Sequence, residues 1–271
     1  MPKTTSHIAL SMIAVLALGL SAVTQTADEI LDQMSAEADL LAEGSMLSTI
    51  AMHNDNADGT TTDFTFASLS KPNRSLLYYL EPPDYAGNMF LMHDAEEEGG
   101  TNRLWMHLSY FGTKELVSED DRGASFAGSS LSYEDLGDQD RREDYDAVLL
   151  GEEDLTIGEF VRTAYKIEST AKPDADVEDL RMVLWIDTEF LIMLKMESYN
   201  DLGNLSSTMD ILELSEFEGK LTASVMLASD VSAGSSTTIT IGNQRRPDSE
   251  IPDDVFLPEN LGAFDAAEWG F

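Results

Sequence analysis

"LRMVLWIDTEFLIMLKMESYNDLGNLSSTMDILEL" runs from Leu180 to Leu214. It reads as three consecutive strands over 180–188, 190–200 and 205–214, rich in β-branched and bulky apolar residues. "NDLG" (200–203) is a hairpin turn between the last two. Apolar residues crowd both faces of these strands, as expected where a sheet is covered on both sides.

The same signals recur outward from this stretch. "EFVRTAYKIES" (159–169), "LTASVMLAS" (221–229) and "STTITIG" (236–242) read as flanking strands. Upstream, "SMLSTIAMH" (45–53) and "TDFTFASLS" (62–70) alternate around the turn "DNADG" (55–59), which predicts a hairpin. "RSLLYYLE" (74–81), "NMFLMH" (88–93) and "RLWMHLSYF" (103–111) continue the series, interrupted by "PPDYAG" (82–87) and the acidic loop "DAEEEGGTN" (94–102). Residues 145–155 fit a helix or a strand. "DEILDQMSAEADLLAE" (28–43) places Ile30, Leu31, Met34, Ala38 and Leu41 at helical spacing, with Gly44 as the stop. The tail "RRPDSEIPDDVFLPENL" (245–261) reads as a strand end and one short turn. About ten strands, one helix and no βαβ rhythm predict a mainly β (α+β) fold. The sheet is expected to be antiparallel and strongly curved, with the helix packed on it. No repeat or linker divides residues 27–271, so one domain is expected.

The N-terminus has a different character. Lys3 precedes the apolar run Ile8 to Leu20, and small and polar residues follow in "SAVTQTAD" (21–28). This is the layout of a secretory signal peptide over residues 1–26, cleaved between Ala22 and Ala27. The run falls short of the roughly 20 residues that span a bilayer. The mature protein is therefore expected to be soluble and exported. With no cysteine, it uses no disulfides and cannot carry lipid on an N-terminal cysteine.

The formal charge is −35, from 16 basic and 51 acidic residues. Nucleic acid needs a concentrated basic surface, and an anionic membrane would repel this one. Nucleic acid is excluded as a partner. Acids spread along the whole chain suit a solvated, halophilic surface, because high salt screens their repulsion.

Candidate chemistry is thin. Ser125 in "GASFA" (123–127) begins like a nucleophile elbow, but Ala127 stands where glycine is required. Ser132 and Asp135 instead have capping-box spacing, with Gly137 ending the turn. His53, His93 and His107 fall on different strands and lack a short-spaced ligand pair, so no metal site is predicted. The adjacent carboxylates Glu134–Asp135 and Glu152–Glu153 point apart and make no acid/base pair. No enzyme activity and no cofactor are expected. The apolar excess is the stronger signal. "LLYYL", "MFLM", "LWMHLSYF", "MVLWI" and "FLIMLKM" exceed what one helix covers, and methionine suits adaptable apolar surfaces. Phe64, Phe66, Tyr78, Leu91, Trp105, Trp185, Met193 and Met196 are the candidate cavity residues.

Five segments occur in the order shown by one branch of a known family: "LWMHL" (104–108), "FAGSSLSYEDL" (126–136), "YDAVLLGEE" (145–153), "LWID" (184–187) and "YNDLGNL" (199–205). On these, the chain resembles the outer-membrane lipoprotein-sorting proteins, the LolA-like periplasmic carriers, from about residue 28 to residue 262. The resemblance implies an unclosed β-barrel holding an apolar cavity under a helical lid. It also implies carriage of lipoproteins or lipids across the periplasm, with acyl chains shielded on the way to the outer membrane. An inner-membrane transporter and an outer-membrane acceptor would be partners of a monomeric carrier. Relatives of this fold also act as envelope sensors or accessory subunits, which is the alternative reading. His107 and Ser130 depart from the branch, which has tyrosine and aspartate there, and no residue matches the basic group that governs opening of the LolA cavity.

Overall fold

The computed structural model describes residues 25–94, 102–116, 123–133, 135, 142–175, 177 and 179–271. Residues 1–24 of the expected signal peptide, most of the acidic loop and Gly137 lie outside these. Helix α1 (Ala27–Ala42) begins one residue earlier than the spacing predicts, because Thr26 caps it. Thr26 Oγ1 accepts from the Glu29 amide at 3.2 Å, and Glu29 Oε2 accepts from the Thr26 amide at 2.8 Å. Ala27, Ile30 and Leu31 are buried, whereas Ala38 is exposed although it shares their predicted stripe.

The strands are β1 (Met46–Asp55), β2 (Thr61–Lys71), β3 (Arg74–Glu81), β4 (Met89–His93), β5 (Arg103–Leu108), β6 (Gly112–Leu116), β7 (Tyr145–Ile157), β8 (Phe160–Ala171), β9 (Arg181–Asp187), β10 (Met193–Tyr199), β11 (Leu205–Phe217), β12 (Lys220–Asp230) and β13 (Ser235–Arg245). They form one 13-stranded antiparallel sheet in the order β6-β5-β4-β3-β2-β1-β13-β12-β11-β10-β9-β8-β7. The first strand and the last pair with each other in the middle. No ladder joins β6 to β7 among the described residues, so the barrel is unclosed. The sheet nevertheless curls strongly. The turn at Gly158 lies against the Leu212 carbonyl, where a Cβ would sit 3.6 Å away, although β8, β9 and β10 separate β7 from β11 in the ladder.

Three expectations change. "RLWMHLSYF" is a strand only to Leu108, then turns at 109–111 into the unforeseen β6. Residues 145–157 are a strand. The tail forms short 3-10 helices at Asp253–Phe256, Pro258–Ala263 and Ala266–Trp269 rather than one turn.

Alternation along each strand divides the sheet into two faces, traced from strand to strand through the ladder register. On the first face, Leu69, Leu76, Leu91 and Trp105 are sealed by Ile251, Phe256 and Leu261 of the C-terminal tail. Farther round on this face, Val183 and Trp185 pack with Ala164 and Ile157. On the second face, Phe64, Phe66, Tyr79 and Phe90 pack under Phe126 and Tyr133. Also on this face, α1 lays Ile30, Leu31 and Met34 on Ile167, Ile186 and Leu184. "RSLLYYLE" is apolar on both faces because the tail covers Leu76 and the Phe126 segment covers Tyr79. At the paired bulges of β11, Met226 contacts clusters on both faces.

Candidate functional site

The two faces differ sharply in chemistry. Along β1–β5, β8–β11 and β13, every charged side chain projects to the first face. The second face carries strand charges at Lys114 and at Glu152 and Asp154 on the two edge strands, and at Lys220 and Asp230, the ends of β12. Lys220 is paired with Glu37 of α1 at 2.9 Å. In a chain of charge −35, this is a large tract of sheet without carboxylates.

Methionines show the opposite bias. Met46 and Met52 of β1, and Met92 and Met106 of β4 and β5, project to the second face. So do Met182, Met193, Met196, Met209 and Met226 of β9 to β12. Met34 of α1 packs on that face too, and Met89 alone among the strand methionines points the other way. Most are half-buried rather than sealed. The α1 helix covers β7–β9 and the Phe126 segment covers β1–β5, so Met196, Met209 and Met226 lie between the two covers. An uncharged surface of flexible, polarizable side chains between two lids suits an apolar ligand of variable shape.

The eight sequence candidates divide between the faces. Phe64, Phe66, Met193 and Met196 project to the second face, while Tyr78, Leu91, Trp105 and Trp185 project to the first. Tyr78, Leu91 and Trp105 sit in the cluster under the C-terminal tail. Trp185 is held by polar groups: its indole N–H donates to Glu153 Oε2 at 3.1 Å, and the Lys166 and Lys195 ammonium groups lie 4.7 and 5.0 Å from its ring centre. The Lys166 hydrogen bond, then that from Trp185, holds the Glu153 carboxyl below its usual range. The sequence reading did not single out Met182, Met209 or Met226; their alternation against charged neighbours was the available signal.

"FAGSSLSYEDL" is built as a cover. Ala127 and Gly128 both take positive φ (51° and 70°), which folds the backbone so that Phe126 points into the aromatic cluster. Asn54 Nδ2 donates to the Ala127 carbonyl at 3.2 Å, and the Ser130 amide donates to Thr237 Oγ1 at 2.9 Å, tying the segment to β1 and β13. Ser125 Oγ donates to the Ser129 carbonyl at 2.6 Å, so it is committed to backbone. The capping-box bonds are present: Ser132 N to Asp135 Oδ2 at 2.6 Å and Asp135 N to Ser132 Oγ at 3.1 Å.

Elsewhere, a cavity of about 500 Å³ opens on the first face between Phe160, Phe190, Leu214 and Leu221, beside Arg162. Among the described residues no three His, Asp or Glu side chains converge as metal ligands. None of the described helices is long and apolar enough to cross a membrane.

Solved structures share this architecture. A DUF1329 family protein from Desulfovibrio piger superposes with a TM-score of 0.74 at 22% identity, covering 86% of this chain and 98% of its own. A domain assigned to outer membrane lipoprotein sorting, from Vibrio parahaemolyticus, gives 0.70 at 23% identity, with 86% and 97% covered. A LolA superfamily protein from Nitrosomonas europaea gives 0.62 at 20% identity over the same shares, 86% and 97%. No curated protein matches the sequence. A family model described as "Uncharacterized protein" matches residues 71–263. The chain belongs to that family of uncharacterized proteins, and its fold is that of the LolA-like proteins.

Proposed function

We propose that the chain is an exported, periplasmic binding protein that carries lipid or the acyl chains of lipoproteins on the second face of its sheet. One observation carries this reading: the strand methionines gather on the face from which the strand charges are almost absent. Each methylene kept from water is worth about 0.8 kcal/mol, so an acyl chain needs such a shelter to cross an aqueous compartment. Met193 and Met196, with Met182 and Met209 beside them, would line the binding face, with α1 as the lid. Phe64 and Phe66 would be reached only if the Phe126 segment moved aside. The signal-like N-terminus supports export, and residues 27–271 would act as one domain. Delivery would involve an inner-membrane transporter or an outer-membrane acceptor. No covalent chemistry is needed.

The experiment is native mass spectrometry and solvent extraction of the purified mature protein, followed by uptake of a fluorescent acyl probe. Co-purified acyl lipid, and uptake reduced by Met209→Glu, are expected. A protein that yields no lipid and takes up no probe would overturn the reading. The packing of Phe126 and Tyr133 over Phe66 and Phe90 favours a second reading, an envelope sensor or accessory subunit with part of its cavity already filled. A stable crosslinked protein partner without lipid would select it.

A further inference from the structure

The distribution of charge also constrains what the cargo is. We infer that the second face takes the uncharged, ester-linked part of a lipid and discriminates against free carboxylate lipids; this rests on the carrier reading above. A carboxylate seated on this face would meet no unengaged cation among the described residues. Lys220 is paired with Glu37, and Lys114 sits on the edge strand β6. Arg246, near the C-terminal end of α1, donates to Glu218 at 3.0 Å and to the Leu41 carbonyl at 3.1 Å. The remaining strand charges there, Glu152, Asp154 and Asp230, repel an anion. The basic residues that could answer a carboxylate, Lys166, Arg181 and Lys195, are all on the first face and bonded to Glu153, Glu168 and Glu197. Burying an unpaired charge costs several kcal/mol, whereas an ester has none to bury.

A second observation marks where the oxygens of the lipid would sit. Ser198 projects to this face from β10, opposite Ser207 and Met182. It is 1% exposed, and its Oγ has no hydrogen-bond partner among the described residues. Buried hydroxyls are normally partnered, so this one is poised for a group brought from outside. The hydroxyl can donate to an ester carbonyl or to a carboxylate oxygen, so it marks where a lipid oxygen would sit, and the lack of an unengaged cation decides against the carboxylate.

Displacement of Nile red from the mature protein tests this, with monoolein and oleate compared at pH 8. Monoolein should displace the dye at a concentration at least about tenfold lower, the equivalent of about 1.4 kcal/mol. Met209→Lys places a cation on the face and should narrow or reverse that ratio. Ser198→Ala should weaken displacement by monoolein. Equal or tighter displacement by oleate on the unaltered protein would overturn the inference and leave the carrier reading standing. If neither lipid displaced the dye and extraction gave no lipid, both would fall.

Discussion

Arg162 forks onto Asp187: Nε lies 2.7 Å from Oδ2 and Nη2 lies 2.9 Å from Oδ1, while the Asp187 side chain has no exposed surface. Asp187 also accepts from the Glu189 and Phe190 amides, at 2.9 and 2.8 Å, which fixes the turn between β9 and β10. Arg162→Ala would strand a buried carboxylate and should cost about 3–5 kcal/mol by urea denaturation. A loss below about 1 kcal/mol would show that water reaches Asp187.

The same pair sets a pH dependence. Burial works to raise the Asp187 pKa, but the Arg162 hydrogen bond and the two amides outweigh it and hold the carboxyl below its usual value. A depressed carboxyl contributes stability that is present above the ordinary carboxylate range and lost as pH falls through the folded-state pKa. Stability of the unaltered protein should therefore drop below about pH 4, and Asp187→Asn should flatten that limb.

His107 acts in a different window. It is 9% exposed, its Nδ1 is 2.9 Å from Thr113 Oγ1, and Gly262 of the tail packs against its ring. Burial lowers its pKa, so the folded protein holds the neutral ring. The unfolded chain then binds the proton first, and stability falls as pH drops below about 6.5. His107→Gln should remove that part of the slope in melting curves taken between about pH 7.5 and 5.

Phe256 of the tail is fully buried, in one cluster with Leu69, Leu76 and Trp105. Phe256→Ala should cost about 3–5 kcal/mol, read by urea denaturation with tryptophan fluorescence as the signal.

Ser125 and Ser129 are spent on backbone groups, Ser129 Oγ accepting from the Leu131 amide at 3.1 Å. Ser125→Ala and Ser129→Ala should each lose about 1 kcal/mol of stability and leave acyl-probe uptake unchanged. Loss of uptake at full stability would revive a catalytic role.

With a net charge of −35, melting temperature should rise when salt is raised from about 0.05 to about 1 M, as the Debye length shrinks to about 3 Å. A flat response would show that the acids are already balanced by local pairs.

The sequence was most legible where one residue type decides the backbone. The period of 28–43, the "NDLG" turn and the alternation of "TDFTFASLS" each reappear within a few residues of expectation. β6 escaped because "GTKEL" has one apolar residue at its end and no alternation to see. β7 was ambiguous because an edge strand with exposed flanks need not alternate cleanly. Inner and outer faces could not be told apart at Leu76–Tyr79, since separate segments far along the chain cover both sides. The methionine face was latent in "MLKMESY", but a strict count of two puts Met193 and Met196 on opposite faces, and only the bulge at Leu194 brings them onto the same one.

The pairing of β1 with β13 bears on how the molecule is made. The Ile251 amide bonds to Ser45 Oγ across 206 residues, and Met52 finds Ile239 only when nearly the whole chain exists. Such distant closures slow folding. A ribosome would therefore release this chain with its early strands still waiting for the last one. The fold is completed by the residues that are made last.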